Sequence, residues 1–212
     1  MGTVPISFTT DFFGPGSNIE TRFIHDYDKL ARILTHIRAL RPDIKIVLIM
    51  GSWDMLHVGH CGYIEVGSQY GDLVIIGVDS DEKTRKKKGP NRPVVPQDER
   101  IKQLCHLRYV DLVVLKEPDH PKWHLIKTVR PDVLITIAEN YTDEERKQLK
   151  EFCGKVETLP RQAETSTSAK VRRLVLDFGE KATKAATEAI QHNAKVLAED
   201  VAKRIEQELD NA

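Results

Sequence analysis

Five short apolar runs, rich in valine, leucine and isoleucine, constrain the fold more than any other feature of the sequence. Their hydrophobicity is continuous rather than alternating, which is typical of strands buried on both faces of a parallel sheet. Apolar residues at helical spacing lie between the runs. The sequence therefore predicts five buried strands, at residues 44–50, 73–78, 111–115, 133–137 and 155–159.

Four segments of helical character separate these strands. They cover residues 60–69, 97–107, 123–129 and 143–152. Strands that alternate with helices form right-handed βαβ units, so the chain is expected to be an α/β protein with a doubly wound parallel sheet. In such sheets ligands bind at the carboxyl ends of the strands, which is where the unusual residues of this chain follow the apolar runs.

The two ends of the chain differ from this central part. The first 20 or so residues are predicted to be an irregular arm, and helical spacing from Asp28 to Leu40 predicts an N-terminal helix. Residues 177–212 carry an apolar stripe typical of a long amphipathic helix, which either packs on its own domain or pairs between subunits. The predicted divisions are an arm and helix at 1–43, a central domain at 44–175 and a helical extension at 176–212.

The amino-acid composition disfavours several classes of protein. Lys and Arg together number 32, as do Asp and Glu, and this balance disfavours a nucleic-acid partner. The three cysteines are far apart, as in a reduced intracellular protein. The sequence lacks an apolar run of membrane-spanning length and a secretory signal. A soluble cytoplasmic protein without a membrane partner is therefore expected.

Two histidines stand three residues apart directly after the first predicted strand, in the stretch GSWDMLHVGHCGYIE at 51–65. Zinc pairs on helices usually sit four residues apart and need a further ligand, so His57 and His60 do not form a typical zinc motif. Gly51 allows backbone to approach a ligand closely, Gly59 allows tight packing, and a helix N-terminus attracts anions. The stretch therefore predicts a phosphate site and no protein-bound metal.

The same stretch resembles the signature of the HxGH nucleotidyltransferase superfamily, G-[ST]-F-D-x-x-H-x-G-H. Trp replaces the usual Phe, and the other fixed positions match. The resemblance implies a Rossmann-like fold, catalytic roles for His57 and His60, and nucleotide binding by Gly51, Ser52, Trp53 and Gly59. Asp54 is expected to be a structural hydrogen-bond partner at the turn rather than a metal ligand, and it is also placed among the acceptor-binding residues.

A second segment, SDEKTRKKKGPNRPVVPQDER at 80–100, is similar to the cytidylyltransferase-like branch of that superfamily. Members have a flexible basic loop that ends in Lys-Gly, followed by an arginine at the start of the next helix. The resemblance implies that Lys88 is the catalytic lysine and that Arg100 binds nucleotide phosphate. The neighbouring Arg85, Lys86 and Lys87 are expected to be solvated.

A third segment, LPRQAETSTSAKVRRL at 159–174, resembles the family pattern R-T-x-G-I-S-T-[ST]. Hydroxyl groups and backbone donors at a helix start can bind phosphate oxygens, and an arginine can hold phosphate through two hydrogen bonds. Glu164 and Thr165 depart from the pattern. The resemblance implies nucleotide binding by Arg161, Ser166, Thr167 and Ser168.

The resemblance covers about residues 45–174 and is strongest to heptose-phosphate adenylyltransferases, then to glycerol-phosphate and ethanolamine-phosphate cytidylyltransferases. Those enzymes tend to carry G-G-D-[YW] or G-D-D-W after the fourth strand, near the acceptor. This chain has a different sequence there, which predicts a changed acceptor. The expected acceptor-binding residues are Ala138, Glu139, Asn140 and Tyr141, with Asp54.

The reaction that the resemblance implies is transfer of a nucleotidyl group from a nucleoside triphosphate to a phosphorylated sugar, polyol or amino alcohol, with release of pyrophosphate. Mg²⁺ would accompany the triphosphate, and a homodimer is expected. ATP is slightly favoured over CTP. The alternatives are a cytidylyltransferase of the glycerol-phosphate or phosphoethanolamine type, and a regulatory protein that binds nucleotide without turnover.

Overall fold

In a computed structural model of the protein, which describes residues 17–160, 162 and 167–210, a single parallel sheet forms the centre of the fold. The described part of the sheet has six strands in the order β1-β4-β3-β2-β5-β6. Every neighbouring pair is parallel. The strands are β1 (Phe23–Ile24), β2 (Ile46–Gly51), β3 (Leu73–Asp79), β4 (Leu112–Lys116), β5 (Val133–Thr136) and β6 (Lys155–Thr158).

Helices connect the strands and cover both faces of the sheet, which confirms the predicted doubly wound α/β architecture. A short 3₁₀ turn, Ala138–Asn140, follows β5. The helices of the described residues are α1 (Ile19–Arg22), α2 (Tyr27–Leu40), α3 (Val58–Ser68), α4 (Asp81–Lys88), α5 (Gln97–Cys105), α6 (His124–Val129), α7 (Asp143–Leu149) and α8 (Thr167–Asp210).

Two apolar layers hold the helices to the sheet because successive side chains of a strand point to opposite faces. Ile46 and Leu48 of β2 pack with α2, α6 and α7 on one face. Val47 and Ile49 of the same strand pack with α3 and α5 on the other. Burial on both faces explains why the strands read as continuous apolar runs.

The order of the strands in the sheet reverses at β2. This strand pairs with β3 on one side and with β5 on the other. The loops that follow β2 and β5 therefore leave the sheet in opposite directions, and a crevice opens between them at the carboxyl edge. The structure thus places the stretch 51–60 and the turn 138–140 at the position where ligands bind in folds of this type.

Two differences from the sequence-based expectations concern short elements. The two-residue strand β1 pairs with β4 and was not predicted, because a run that short has no recognisable period. The basic segment after β3, predicted to be a flexible loop, is the end of helix α4. Ser80 caps this helix, Asp81 and Glu82 occupy its first turn, and its last turn is basic, which complements the helix dipole.

The long C-terminal helix α8 forms a compact unit of its own. Contacts divide the chain into 1–166 and 167–212. The predicted helix is confirmed in its described part and begins ten residues earlier than residue 177. The predicted division at 175/176 stays a prediction. Among the described residues, none of the helices is both long enough and apolar enough to cross a membrane.

Asp111, at the entrance to β4, makes stability depend on pH. Its carboxylate accepts a hydrogen bond from Val74 N at 2.7 Å, while burial raises the pKa of Asp111 to about 6. Since the folded pKa lies above the unfolded value of about 3.9, this group contributes less stability as pH rises from about 4 to 6.

Asp111→Asn keeps an acceptor for Val74 N and removes the ionisation. We therefore expect the melting temperature of the variant, relative to the parent, to increase from pH 4 to pH 6.5. Calorimetry at five pH values measures this difference. A difference that stays constant over the interval would contradict the raised pKa.

Candidate active site

The turn after β2 is anchored by Trp53. This residue and Met55 adopt left-handed backbone conformations, with φ of 55° and 50°. The buried indole donates a hydrogen bond from Nε1 to Gly77 O of β3 at 3.1 Å. A Cβ at Gly51 would lie 3.2 Å from the indole, so a larger residue there would force the ring to shift by a few tenths of an ångström. The Trp53 side chain thus packs under the turn, between it and the sheet. Its burial argues against the expected direct contact with nucleotide.

His57 and His60 are brought together at the N-terminus of α3. His57 caps the helix, with Nδ1 accepting a hydrogen bond from Gly59 N at 3.1 Å. Since Nδ1 is an acceptor, neutral His57 carries its proton on Nε2. The two imidazole rings stack with centroids 3.9 Å apart, and the Trp53 ring meets His60 edge-on at 5.4 Å. Two imidazoles therefore lie together at the positive end of the α3 dipole, a position that favours an anion.

Lys88 approaches the same edge of the sheet from the end of α4. Its Nζ donates a hydrogen bond to Ser52 Oγ at 2.6 Å. Gly89 ends the helix with φ of 96°, a conformation that side chains other than glycine rarely adopt. Partial burial lowers the pKa of Lys88, and Asp54 and Asp79 oppose that effect. The structure thus brings an ammonium group to the carboxyl end of β2, next to the turn that carries the histidines.

Asp54 fixes the segment between α4 and α5. Its buried carboxylate accepts hydrogen bonds from Val94 N and Val95 N at 3.0 Å each and pairs with Arg92 at 2.8 Å. Burial raises the pKa of Asp54, but these three donors outweigh it and hold the pKa below its usual value. The predicted hydrogen-bonding role of Asp54 is confirmed, and its burial does not support the alternative contact with an acceptor.

Arg100 lies beneath the site rather than within it. Its side chain is 0% exposed. The guanidinium donates to Ser52 O, to Asp79 O at 2.9 Å and to Val95 O at 2.9 Å, and pairs with Asp81 at 2.7 Å. Its burial and four partners do not support the phosphate contact expected from the sequence. The geometry instead makes Arg100 the connection between the ends of β2 and β3.

A buried ion-pair network at the ends of β3 and β4 was missed by the sequence analysis. Asp79 is 4% exposed, and its carboxylate pairs with Lys116 at 2.8 Å and with Lys87 at 3.1 Å. Burial raises the pKa of Asp79, but the two ammonium groups hold it below its usual value. Lys87 is exposed to solvent, as expected, but its ammonium group also pairs with this buried carboxylate. The sequence did contain a signal for this pair, because two apolar runs that form neighbouring strands end in opposite charges. Asp79 and Lys116 are partners in the register of β3 and β4.

The turn after β5, expected to contact the acceptor, is held by Arg146 of α7. The guanidinium donates to Ala138 O at 2.8 Å, to Tyr141 O at 3.2 Å and to Thr158 Oγ1 of β6 at 2.9 Å. Tyr141 packs against the core, and burial raises its pKa to about 12. Asn140 is exposed, and the side chain of Glu139 lies outside the described residues. The acceptor roles of this turn stay predictions.

The side chains of the third segment that are expected to bind phosphate lie outside the described residues. Arg161 and Ser166 are not described, and only the backbone of Thr167 and Ser168 is, as the start of α8. Their phosphate-binding roles stay predictions.

The carboxylates at this edge of the sheet do not fit a magnesium site built by the protein. Asp54, Asp79 and Asp81 each pair with a lysine or an arginine. Magnesium prefers several carboxylate, phosphate or water oxygens in octahedral geometry, and these carboxylates already have cationic partners. Triphosphate oxygens would therefore have to supply most of its coordination.

Comparison with protein families agrees with this geometry. The model of the family described as cytidylyltransferase-like matches residues 48–205, which is most of the chain. The chain belongs to the cytidylyltransferase-like family and is a nucleotidyltransferase of that family.

Curated relatives include the bifunctional protein HldE from several bacteria. The protein from a Nitratiruptor species is 38% identical over 113 residues, which are 53% of this chain and 24% of the relative. The protein from Geobacter metallireducens is 33% identical over 160 residues, or 74% of this chain and 32% of the relative. The matches thus span about a quarter to a third of these relatives.

Among solved structures, a pantoate-beta-alanine ligase from Francisella tularensis, complexed with beta-gamma ATP and beta-alanine, superposes with a TM-score of 0.51. It is 17% identical in sequence, and the match covers 69% of each chain. At this identity the likeness concerns the Rossmann-like fold alone.

Proposed function

We propose that the protein transfers a nucleotidyl group from a nucleoside triphosphate to a small phosphorylated acceptor and releases pyrophosphate. The observation that carries this proposal is the stacked pair His57 and His60 at the N-terminus of α3, with Lys88 bound to Ser52 beside it. These three side chains, which can bind phosphate, thus belong to or contact the segment that follows β2, where the strand order reverses and ligands usually bind in this fold.

The proposed reaction is an in-line displacement. An oxygen of the acceptor phosphate forms a bond to the α-phosphorus while the bond from that phosphorus to the bridging oxygen breaks, and pyrophosphate leaves with the bond's electrons. A phosphate monoester is already a nucleophile at neutral pH, so the protein has mainly to position the two substrates and stabilise the developing charge.

The histidines and Lys88 would each contact a different part of the reacting phosphates. His57 would donate from Nε2 to an oxygen of the α- or β-phosphate, because its Nδ1 is held by Gly59 N. His60 would stabilise or protonate the bridging oxygen of the leaving group. Lys88 would lie over the α-phosphate and the acceptor phosphate. Mg²⁺ would arrive with the triphosphate and neutralise part of its charge.

The remaining assignments extend this picture. Arg161, Ser166, Thr167 and Ser168 would bind the β- and γ-phosphates. Arg100 would act indirectly, because its guanidinium joins Ser52 to Asp79 and so fixes the floor of the site. The turn held by Arg146 would select the acceptor, and a homodimer is the proposed assembly. ATP is favoured slightly over CTP because of the overall similarity of the chain to the heptose-phosphate adenylyltransferases.

A pyrophosphate-release screen tests the proposal. The purified chain would be incubated with Mg²⁺, ATP or CTP, and heptose-1-phosphate, glycerol-3-phosphate, phosphoethanolamine or simple phosphonates. We expect release that depends on both substrates, with one nucleotide preferred because discrimination follows transition-state binding. Nucleotide binding without release for any pair would contradict the enzymatic proposal and favour a regulatory, nucleotide-binding protein.

A further inference from the structure

Asp79 connects two strand ends to the helix that carries Lys88. Its Oδ1 pairs with Lys116 at the end of β4, and its Oδ2 pairs with Lys87 in the last turn of α4. Lys116 is largely buried, with a side chain 14% exposed, and Lys87 is 57% exposed. The Asp79–Lys116 pair is thus a fixed internal anchor, and Lys87 reaches it from the surface.

Lys87 and Lys88 are consecutive residues of one helix, so their side chains leave it about 100° apart. Lys87 is held at the end of β3 and Lys88 at Ser52, which follows the end of β2. Two contacts in different directions fix the rotation of the last helical turn about its axis. Asp81 and Lys83 hold the first turn of α4 through Arg100 and Glu117 O, so loss of the Lys87 contact would mainly loosen the last turn. There the Lys88 contact remains, and a phosphate ligand would compete for it.

We propose that Asp79 is a positioning residue for nucleotidyl transfer, which holds Lys87 so that the last turn of α4 directs Lys88 toward the reacting phosphates. The proposal rests on the proposed function of Lys88. A lysine that is free to move would spend part of its time away from the α-phosphate, and small misplacements of a catalytic group lower the rate strongly.

The charges around Lys88 provide a readout that a purely structural role would not give. The charged groups that face it are Asp54, Arg92, Asp79 and Lys87. Burial lowers the pKa of Lys88, and Asp79 raises it whereas Lys87 lowers it. Loss of Asp79 should therefore shift the alkaline limb of the kcat–pH profile to lower pH, and loss of Lys87 should shift it to higher pH.

The experiment compares the full chain with Asp79→Asn, Lys87→Met and Lys88→Met, using the nucleotide and acceptor that release pyrophosphate. For Asp79→Asn and Lys87→Met we expect kcat to fall about 10- to 100-fold, with KM for the nucleotide changed by less than about threefold. The alkaline limbs of the two variants should move in opposite directions. Asp79→Asn/Lys116→Met avoids a buried unpaired ammonium and should show the same fall in kcat.

The outcomes separate this proposal from the proposed function. A kcat within twofold of the parent in both Asp79→Asn and Lys87→Met, while Lys88→Met loses turnover, would overturn the positioning role and leave the function of Lys88 intact. The positioning role would also be overturned if the alkaline limbs of the two kcat–pH profiles moved in the same direction or did not move. The fall in kcat would then reflect a general disturbance of the structure. Near-normal turnover of Lys88→Met would instead remove Lys88 from the mechanism. Lys87→Met keeps the Asp79–Lys116 pair, so it decides the question if Asp79→Asn fails to fold.

Discussion

His60→Ala is expected to lower kcat/KM by a factor of about 30 to 1000, which corresponds to about 2–4 kcal/mol of transition-state stabilisation. The imidazole stacks on His57 and is supported by the Trp53 ring, so it is held in one orientation before substrate arrives. A donor that is already oriented toward the leaving group needs no reorganisation during the reaction, and its loss is correspondingly costly.

The measurement is steady-state pyrophosphate release with both substrates varied. His106→Ala is the matched control, because His106 is exposed at the end of α5, away from the turn that follows β2. The control should retain parental kcat/KM, and thermal melting should show that His60→Ala remains folded at the assay temperature. Near-normal turnover of a folded His60→Ala protein would contradict the proposed role of His60 in stabilising the leaving group.

Lys88→Met is expected to lower kcat about 100- to 1000-fold, with a smaller effect on KM for the nucleotide. The ammonium would stabilise charge that develops on the oxygens of the α-phosphorus, which is larger in the transition state than in the bound substrate. Methionine keeps much of the aliphatic length and removes only the charge and its hydrogen bond to Ser52.

Lys86→Met is the control for Lys88→Met, because it removes an ammonium two residues away on the same helix. Lys86 pairs with Glu82 on the exposed side of α4 at 2.7 Å, a contact worth about 0.3–0.5 kcal/mol of stability. Its loss should leave kcat unchanged. Equal effects of the two substitutions would mean that the net charge of α4, and not the position of Lys88, governs turnover.

Much of the fold was predictable because it depends on local pattern. The apolar runs predicted β2 to β6 to within two residues at each end, since strands buried on both faces need unbroken hydrophobicity. The strand β1 was missed because two residues carry no period. The end of α4 was predicted to be a loop because a run of lysines resembles a solvated segment, whereas capping by Ser80 and the helix dipole make it helical.

The candidate site was predictable where a motif names the residue and its neighbours, as for His57 and His60. It was not predictable where the role depends on what surrounds a side chain. Arg100 was expected to bind phosphate from its motif position, but its guanidinium is fully buried and has four partners in the protein. Asp79 and Lys116 are distant in sequence and become partners only through the pairing of β3 and β4.

By itself the sequence determined the class of fold and the family, and it predicted the histidine pair that follows β2, because hydrophobic period and motif spacing are properties of neighbouring residues. Only the tertiary structure decided which charges are buried and which cation each carboxylate holds. A buried charge requires a partner, and the partner is supplied by whichever strand end or helix lies beside it in space. For this reason the assignment of Asp79, Lys87 and Arg100 had to wait for the fold, whereas His57 and His60 did not.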